Sequence, residues 1–364
     1  MNIERVTLAN FRGFDQIDIQ CEPDVTVIAG VNGVGKSALL GAIVKAMSLA
    51  LPRITQSKEK LLGLADRDIK AGKASLALSV VFNCTKPTIH VDITRSSERA
   101  AAHAEDLTKR RDQLRFATRE TKKGSKEEQD IEDEIRRIEM KLSPAEDVPT
   151  VRILPLDPET NQEEIVTQLK GEPSQPISVY YSTSRFLSRL PPSLPKIKTI
   201  NIATAYSKAL EQLEVSLNDF ANWYRVLAEG NQPQRSARMF KQLETAIAIF
   251  LPGMSGLSLQ QERPPRFSVN KNGSKLNLDQ LSDGERGLLA LVFDLTRRLA
   301  IANPNSKNPI ADGVGLVMID EIELHLHPSW QRHVIRRLRE VFKKCQFVIT
   351  THSPQVIGQV RADK

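Results

Sequence analysis

Cysteine is scarce in this chain. Its three cysteines, Cys21, Cys84 and Cys345, lie too far apart for a CxxC metal or redox pair and are too few for a disulfide framework. Reduced thiols are expected. Long apolar runs are also missing. The longest, Ala38 to Leu51, is interrupted by Lys45 and meets Pro52, so no membrane span is expected. The start, MNIERVTLANFRGF, lacks a basic stretch followed by an apolar one. It does not read as a secretory signal, and a cytoplasmic location is expected. No repeat of fixed period runs through the sequence, which sets solenoids aside.

What is present is length and positive charge. At roughly 150 residues per domain, 364 residues suggest one large domain with insertions or two domains. The formal charge of +7 suits a polyanionic partner without demanding one.

Residues 1–93 alternate strand-like runs with one helix-like run. ERVTLANF, DQIDIQ, VTVIAG, SLALSVVFN and TIHVDI read as strands, and SALLGAIVKAMSLAL reads as a helix. The composition then changes. Residues 95–141 hold 13 Lys/Arg and 12 Asp/Glu, which no packed sheet can accommodate. Ile131, Ile135, Ile138 and Leu142 step by four, three and four after an S-x-x-E capping box at Ser125 and Glu128, predicting a helix over 125–142. Leu107 and Leu114 mark an opposing arm, with the turn at Gly124. The first arm is basic and the second acidic, so the arms of this hairpin should satisfy each other.

Residues 144–176 read as a surface excursion, and SVYYS at 178–182 as a buried strand. Tyr206, Leu210, Leu213, Leu217, Phe220, Tyr224 and Leu227 step by four and three, predicting one long amphipathic helix. A second helix is predicted over Ser236 to Phe250. LSLQQ and RFSV read as strands, followed by a KNGS turn, and the remainder alternates helix, strand, helix, strand. The expected organisation is a head at 1–94, 146–190 and 254–364, with a charged hairpin insertion at 95–145 and a helical insertion at 191–253.

Four motifs carry chemistry. GVNGVGKS follows an apolar strand and opens a helix, as a phosphate-binding loop must. Gly30, Asn32, Gly33, Val34, Gly35 and Ala38 would cradle phosphates with their backbone, Lys36 would reach the β- and γ-phosphates, and Ser37 would bind magnesium. LVMIDE is an apolar strand ending in two acids. Asp320 suits the metal, and Glu321 suits a catalytic role in orienting the attacking water. LSDGERG places Ser282, Asp283, Gly284 and Glu285 at a helix start, and THSP places His352 after a strand.

In chain order, GVNGVGKS, LSDGERG, LVMIDE and THSP resemble the Walker A, signature, Walker B and switch-histidine motifs of an ABC-type ATPase head of the SMC, RecF and OLD branch, an α/β P-loop fold with helical insertions. The resemblance implies ATP and Mg2+ as ligands and His352 as a γ-phosphate contact. It implies that Ser282 to Glu285 act across a homodimer on the partner's nucleotide. It also places His325 and His327 in the D-loop and Arg12, in NFRGF, at the adenine side. Asp283 departs from the signature pattern. The Gln expected after a strand is replaced by Ser182, Thr183 and Arg185. DIKAGKASLALSVVF, VYYSTSR, IDEIELHLHPSWQ and THSPQVIGQV are most similar to the PtuA-type ATPases of Septu and retron antiphage systems. Those work beside an HNH nuclease and, in retrons, a reverse transcriptase with its msDNA. OLD-family nuclease heads and RecF-like repair ATPases are the alternatives.

Weaker signals are read as structural. His325 and His327 form H-x-H but lack the further ligands of a zinc site. Asp66 and Asp68 are read as a solvated loop and not a nuclease fragment. Arg185, Arg189, Lys196, Lys198 and Lys208, with no acid between Ile177 and Leu210, are a candidate for nucleic-acid phosphate contact. Arg332, Arg336, Arg339 and Lys343 share a helix face read as solvated.

Overall fold

The computed structural model describes residues 1–83, 88–120, 131, 132, 134, 135, 138, 150–154, 161–211 and 214–360. Among the described residues twelve strands, β1 (Asn2–Phe11), β2 (Phe14–Gln20), β3 (Val25–Ala29), β4 (Ser75–Asn83), β5 (Thr88–Ser96), β6 (Thr150–Leu154), β7 (Ile177–Tyr181), β8 (Met254–Gln260), β9 (Arg266–Lys271), β10 (Ser274–Asn277), β11 (Gly315–Ile319) and β12 (Cys345–Thr351), form three sheets.

The central sheet is parallel, in the order β3-β12-β11-β7. Every residue of β7, β11 and β12 is buried, the pattern of parallel strands covered on both faces. The helix α1 (Lys36–Ile54) packs on it with Leu39, Leu40, Ile43, Met47 and Leu51 inside. By length and composition this helix could cross a membrane, and here its apolar surface is core. It runs two residues past Pro52 and ends where Thr55 returns its N–H and hydroxyl to the Leu51 carbonyl.

An antiparallel sheet, β2-β1-β4-β5-β6, is built from alternating strands such as SLALSVVFN, whose Leu76, Leu78, Val80 and Phe82 are buried. The buried Gln346 of β12 ties the two sheets together. Its side chain accepts the Ile3 N–H at 2.6 Å and donates to the carbonyls of Ile3 and Glu22. The third sheet, β10-β9-β8, contains a turn at Asn272 and Gly273, both with positive φ, as the KNGS signal required.

Three expectations are corrected. The segment 144–176 is not only a surface excursion: Val151 and Ile153 of β6 are buried, the strand pairs with β5, and α3 (Gln162–Gly171) follows. The long helix from Tyr206 does not form. Tyr206 sits in a turn with its hydroxyl donating to the Pro176 carbonyl, Val215 bridges to Leu187, and α4 (Leu217–Glu229) begins only at the Ser216 cap. The side-chain spacing is helical, yet a strand-like bridge interrupts the backbone. The next helix, α5 (Pro233–Phe250), starts at Pro233, which suits a first helical position.

The charged insertion begins as a helix, α2 (Glu98–Glu120). Its Arg110 pairs with Glu134 at 3.4 Å, and Leu114 and Ile138 are both buried. The Ser125–Glu128 box, Gly124 and Leu142, like Cys84 and Leu213, fall outside the described residues.

Candidate nucleotide site

Parallel register assembles the site. Ala29 is level with Thr351, Ile319 with Ile349, and Tyr181 with Ile319. The residues that follow, Gly30, His352, Asp320 and Ser182, therefore share one carboxyl edge of the sheet, where open α/β sheets bind ligands.

At the first position the loop turns through left-handed conformations that favour glycine, φ 83° at Gly33 and 98° at Gly35. Gly35 has a second constraint, because a Cβ there would stand 2.6 Å from the Phe14 ring. The NFRGF segment thus packs directly on the phosphate-binding loop. Residues Val31, Asn32, Gly33 and Val34 are exposed, and Ala38 is half-buried. Lys36 is buried, its ammonium donating to the carbonyls of Gly30 (2.8 Å) and Val31 (3.0 Å). Ser37 is exposed in the first helical turn.

His352 joins the motifs. Its Nδ1 lies 2.8 Å from the Gly30 carbonyl and 3.3 Å from Lys36 Nζ, and its Nε2 lies 3.4 Å from Glu321 Oε1. Its backbone N–H donates to Glu323 Oε1 at 2.5 Å, and Glu323 Oε2 accepts the Thr351 hydroxyl at 2.7 Å. Asp320 is buried and accepts the Thr350 hydroxyl at 2.5 Å. The same Thr350 oxygen accepts the Glu321 N–H at 2.8 Å. Glu321 has φ 47°, a left-handed conformation uncommon outside glycine.

Ser282 caps α6 (Asp283–Ala302), accepting the Glu285 N–H while Glu285 returns its carboxylate to the Ser282 N–H and hydroxyl. Glu285 is buried and ion-paired to Lys271 at 2.6 Å, so it holds the helix start in place. Asp283 faces Arg286 at 2.5 Å. Gly284 abuts the D-loop, where a Cβ would lie 2.4 Å from the His325 carbonyl oxygen. His325 has φ 62° and its ring tilts against Phe186. His327 caps a short helix through Nδ1, 2.8 Å from the Ser329 hydroxyl. Among the described residues no three His, Cys, Asp or Glu side chains converge as a metal cluster.

Arg12 donates to Asp68 through both its backbone N–H and its guanidinium, and that guanidinium lies over the Phe11 ring. Asp68 is fully buried and also pairs with Lys45 at 3.2 Å. This corrects the solvated-loop reading for Asp68, whereas Asp66 stays partly exposed and pairs with Arg95 at 3.2 Å. Burial would raise the Asp68 carboxyl, but hydrogen bonds from Ala65 and Arg12 and the charge of Lys45 hold it below the usual range.

Three residues have structural roles at this edge that the sequence did not reveal. Thr350 and Glu323 orient the two acids and the histidine, and a polar side chain beside each motif is their only trace. Arg185 is the third, and its burial takes it alone out of the basic stretch proposed for phosphate contact; Arg189, Lys196, Lys198 and Lys208 are exposed. Arg185 is buried, with Nη1 donating to the carbonyls of Asp320 (2.6 Å) and Ser182 (3.2 Å) and Nη2 to those of Glu321 (2.7 Å) and Ile322 (3.2 Å). Burial pulls its guanidinium down to about 10, still charged at neutral pH.

The edge can place a buried ammonium, a hydroxyl, two acids and an imidazole around a polyphosphate. A family model described as "AAA domain" matches residues 5–249, and a second AAA-domain model, described with the AbiEii toxin of a type IV toxin–antitoxin system, matches 183–358. The chain is 29% identical to the "Retron Ec83 probable ATPase" of Escherichia coli over 98% of its own length and 69% of that protein. It is 40% identical to the "Septu protein PtuA" of Bacillus mycoides over 21% of its length and 10% of that protein. Among solved structures, the SMC head bound to the C-winged helix domain of ScpA superposes with a TM-score of 0.53 at 13% identity, covering 99% of this chain and 92% of that one.

Proposed function

The chain belongs to the AAA domain family and is an ABC-type ATPase head, and from that premise we propose that it hydrolyses ATP at this edge to control a nucleic-acid-acting partner in antiphage defence. The observation that carries the reading is the contact chain Lys36–His352–Glu321, at 3.3 and 3.4 Å, which joins three motifs drawn from three strands. In this proposal Lys36 and the loop amides bind the β- and γ-phosphates. Glu321 orients the attacking water, and His352 contacts the γ-phosphate. Arg12, beside the loop through its neighbour Phe14, lies at the adenine side.

Ser37 and Asp320 are hard oxygen donors of the kind Mg2+ takes, one at each of two motifs on the same edge. When bound, the ion would neutralise developing phosphate charge. The chain itself fixes Asp320 through Thr350.

Two heads are proposed to pair on ATP, with Ser282 of each reaching the γ-phosphate held by Lys36 of the other. The Ser282 cap and the Gly284–His325 contact support this by presenting the signature helix and D-loop as one unit. Similarity to proteins named for a retron and for Septu supports the defence role, and an HNH nuclease partner, with nucleic acid such as msDNA as a further partner, is part of the proposal. The charged hairpin, 95–145, is the proposed protein-docking element.

Phosphate release tests the enzymatic core. Glu321→Gln should keep ATP binding and lose turnover at least about a hundredfold, in line with the roughly 10² to 10⁴ of general-base loss. Unchanged hydrolysis in that variant would remove Glu321 from the mechanism.

A further inference from the structure

Glu321 stands in a backbone conformation that an L-residue keeps only when its surroundings impose it. The imposition is traceable bond by bond. The peptide before its Cα is gripped at both ends, since the Asp320 carbonyl accepts from Arg185 Nη1 at 2.6 Å and the Glu321 N–H donates to Thr350 Oγ1 at 2.8 Å. The peptide after it is gripped likewise. The Glu321 carbonyl accepts from Arg185 Nη2 at 2.7 Å, and the Ile322 N–H donates to the Thr350 carbonyl at 3.1 Å. With both peptide planes fixed, φ and ψ at Glu321 have no remaining freedom.

We propose that Arg185 is the positioning residue for Glu321: its guanidinium fork locks the two peptides flanking Glu321 and so aims that carboxylate toward His352 and the γ-phosphate. The proposal rests on Glu321 being the group that orients the attacking water. Arg185 follows β7 in the region where the resemblance leads one to expect a glutamine, but it is buried and both terminal nitrogens of its guanidinium donate to main-chain carbonyls, four in all. Its contribution is geometric. A planar guanidinium presents donors in a fixed fork, which a lysine ammonium on a flexible stem cannot reproduce. Arg185 also donates to the Ser182 carbonyl, so movement at the end of β7 would be felt directly at Glu321.

The test is a double-mutant cycle on the full chain, reading ATP affinity, kcat and melting temperature for wild type, Arg185→Lys, Glu321→Gln and the double variant. Arg185→Lys should leave ATP affinity within about threefold and lower kcat by about 10²-fold, the scale of an ångström's misplacement of a reacting group. In the Glu321→Gln background the same change should add less than about threefold, because the residue it positions is already disabled. Losses that multiply as if independent, or an Arg185→Lys protein that loses ATP affinity while keeping kcat, would overturn the proposal. If the lysine protein does not fold, Arg185→Gln, which is smaller and uncharged, is read in the same cycle against the same criteria. Normal turnover by Glu321→Gln alone would instead defeat the assignment of Glu321, and the positioning role with it.

Discussion

Gly284 and His325 meet so closely that a methyl group on Gly284 would stand 2.4 Å from the His325 carbonyl oxygen. The signature helix therefore begins against the D-loop, and the two segments expected to face a second head are held as one surface. Gly284→Ala should cost about 1–3 kcal/mol in denaturant unfolding, the usual range for overpacking a filled contact. Gly287→Ala is the control. It lies one turn later in the same helix with nothing within 4 Å of its would-be Cβ, so it should be neutral or stabilise by about 0.4–1 kcal/mol. Equal effects of the two changes would dissolve the claim of a close contact.

A second prediction concerns acid. Asp294 of α6 accepts from Arg297 (2.8 Å), Arg298 (2.7 Å) and the Tyr181 hydroxyl (3.0 Å), all buried. Burial alone would raise its carboxyl, but the charges of Arg298 and Arg297 outweigh burial and hold it at about 2. A folded value below the unfolded one, roughly 3.9, means a contribution fully present above about pH 4 and lost as pH falls toward 2. Asp294→Asn should therefore destabilise by about 3–5 kcal/mol at pH 7, the scale for breaking a buried pair. The gap to wild type should narrow below pH 4. A gap that stays constant from pH 6 to pH 3 would contradict the assignment.

A third prediction addresses the insertion between β5 and β6, adjacent antiparallel strands paired through Asp92 and Thr150. Replacing residues 96–142 by a short Gly-Ser bridge should leave ATP affinity unchanged within about twofold, since distant sites add independently. Association with the proposed nuclease partner should weaken, as read in a pull-down with both proteins purified. Loss of ATP binding would place the segment in the core of the head.

Much of this arrangement was legible in the sequence because the informative residues are local. A glycine-rich loop after VTVIA, two acids after GLVMI and a histidine after CQFVITT each announce a strand end, and parallel pairing does the rest. The supporting contacts are non-local and left no pattern. Thr350 and Arg185 are separated by 165 positions yet fix the same residue, and neither spacing nor composition could bring them together. The false helix from Tyr206 has a related cause. Its apolar spacing is correct for a helix, but the Val215–Leu187 bridge and the Ser216 cap break the backbone at a point the spacing does not reveal.

The composite site is the central claim, and complementation tests it most directly. Lys36→Ala removes the ammonium proposed to bind phosphate, and Ser282→Arg blocks the signature cap, so each variant alone should be inactive. In mixed dimers one site would combine an intact Lys36 with an intact Ser282 from the other chain, because each head offers both halves. Titrating one inactive protein against the other while following phosphate release should therefore restore partial ATPase activity. Full activity in Ser282→Arg alone, or none in verified mixed dimers, would contradict a site shared between two heads.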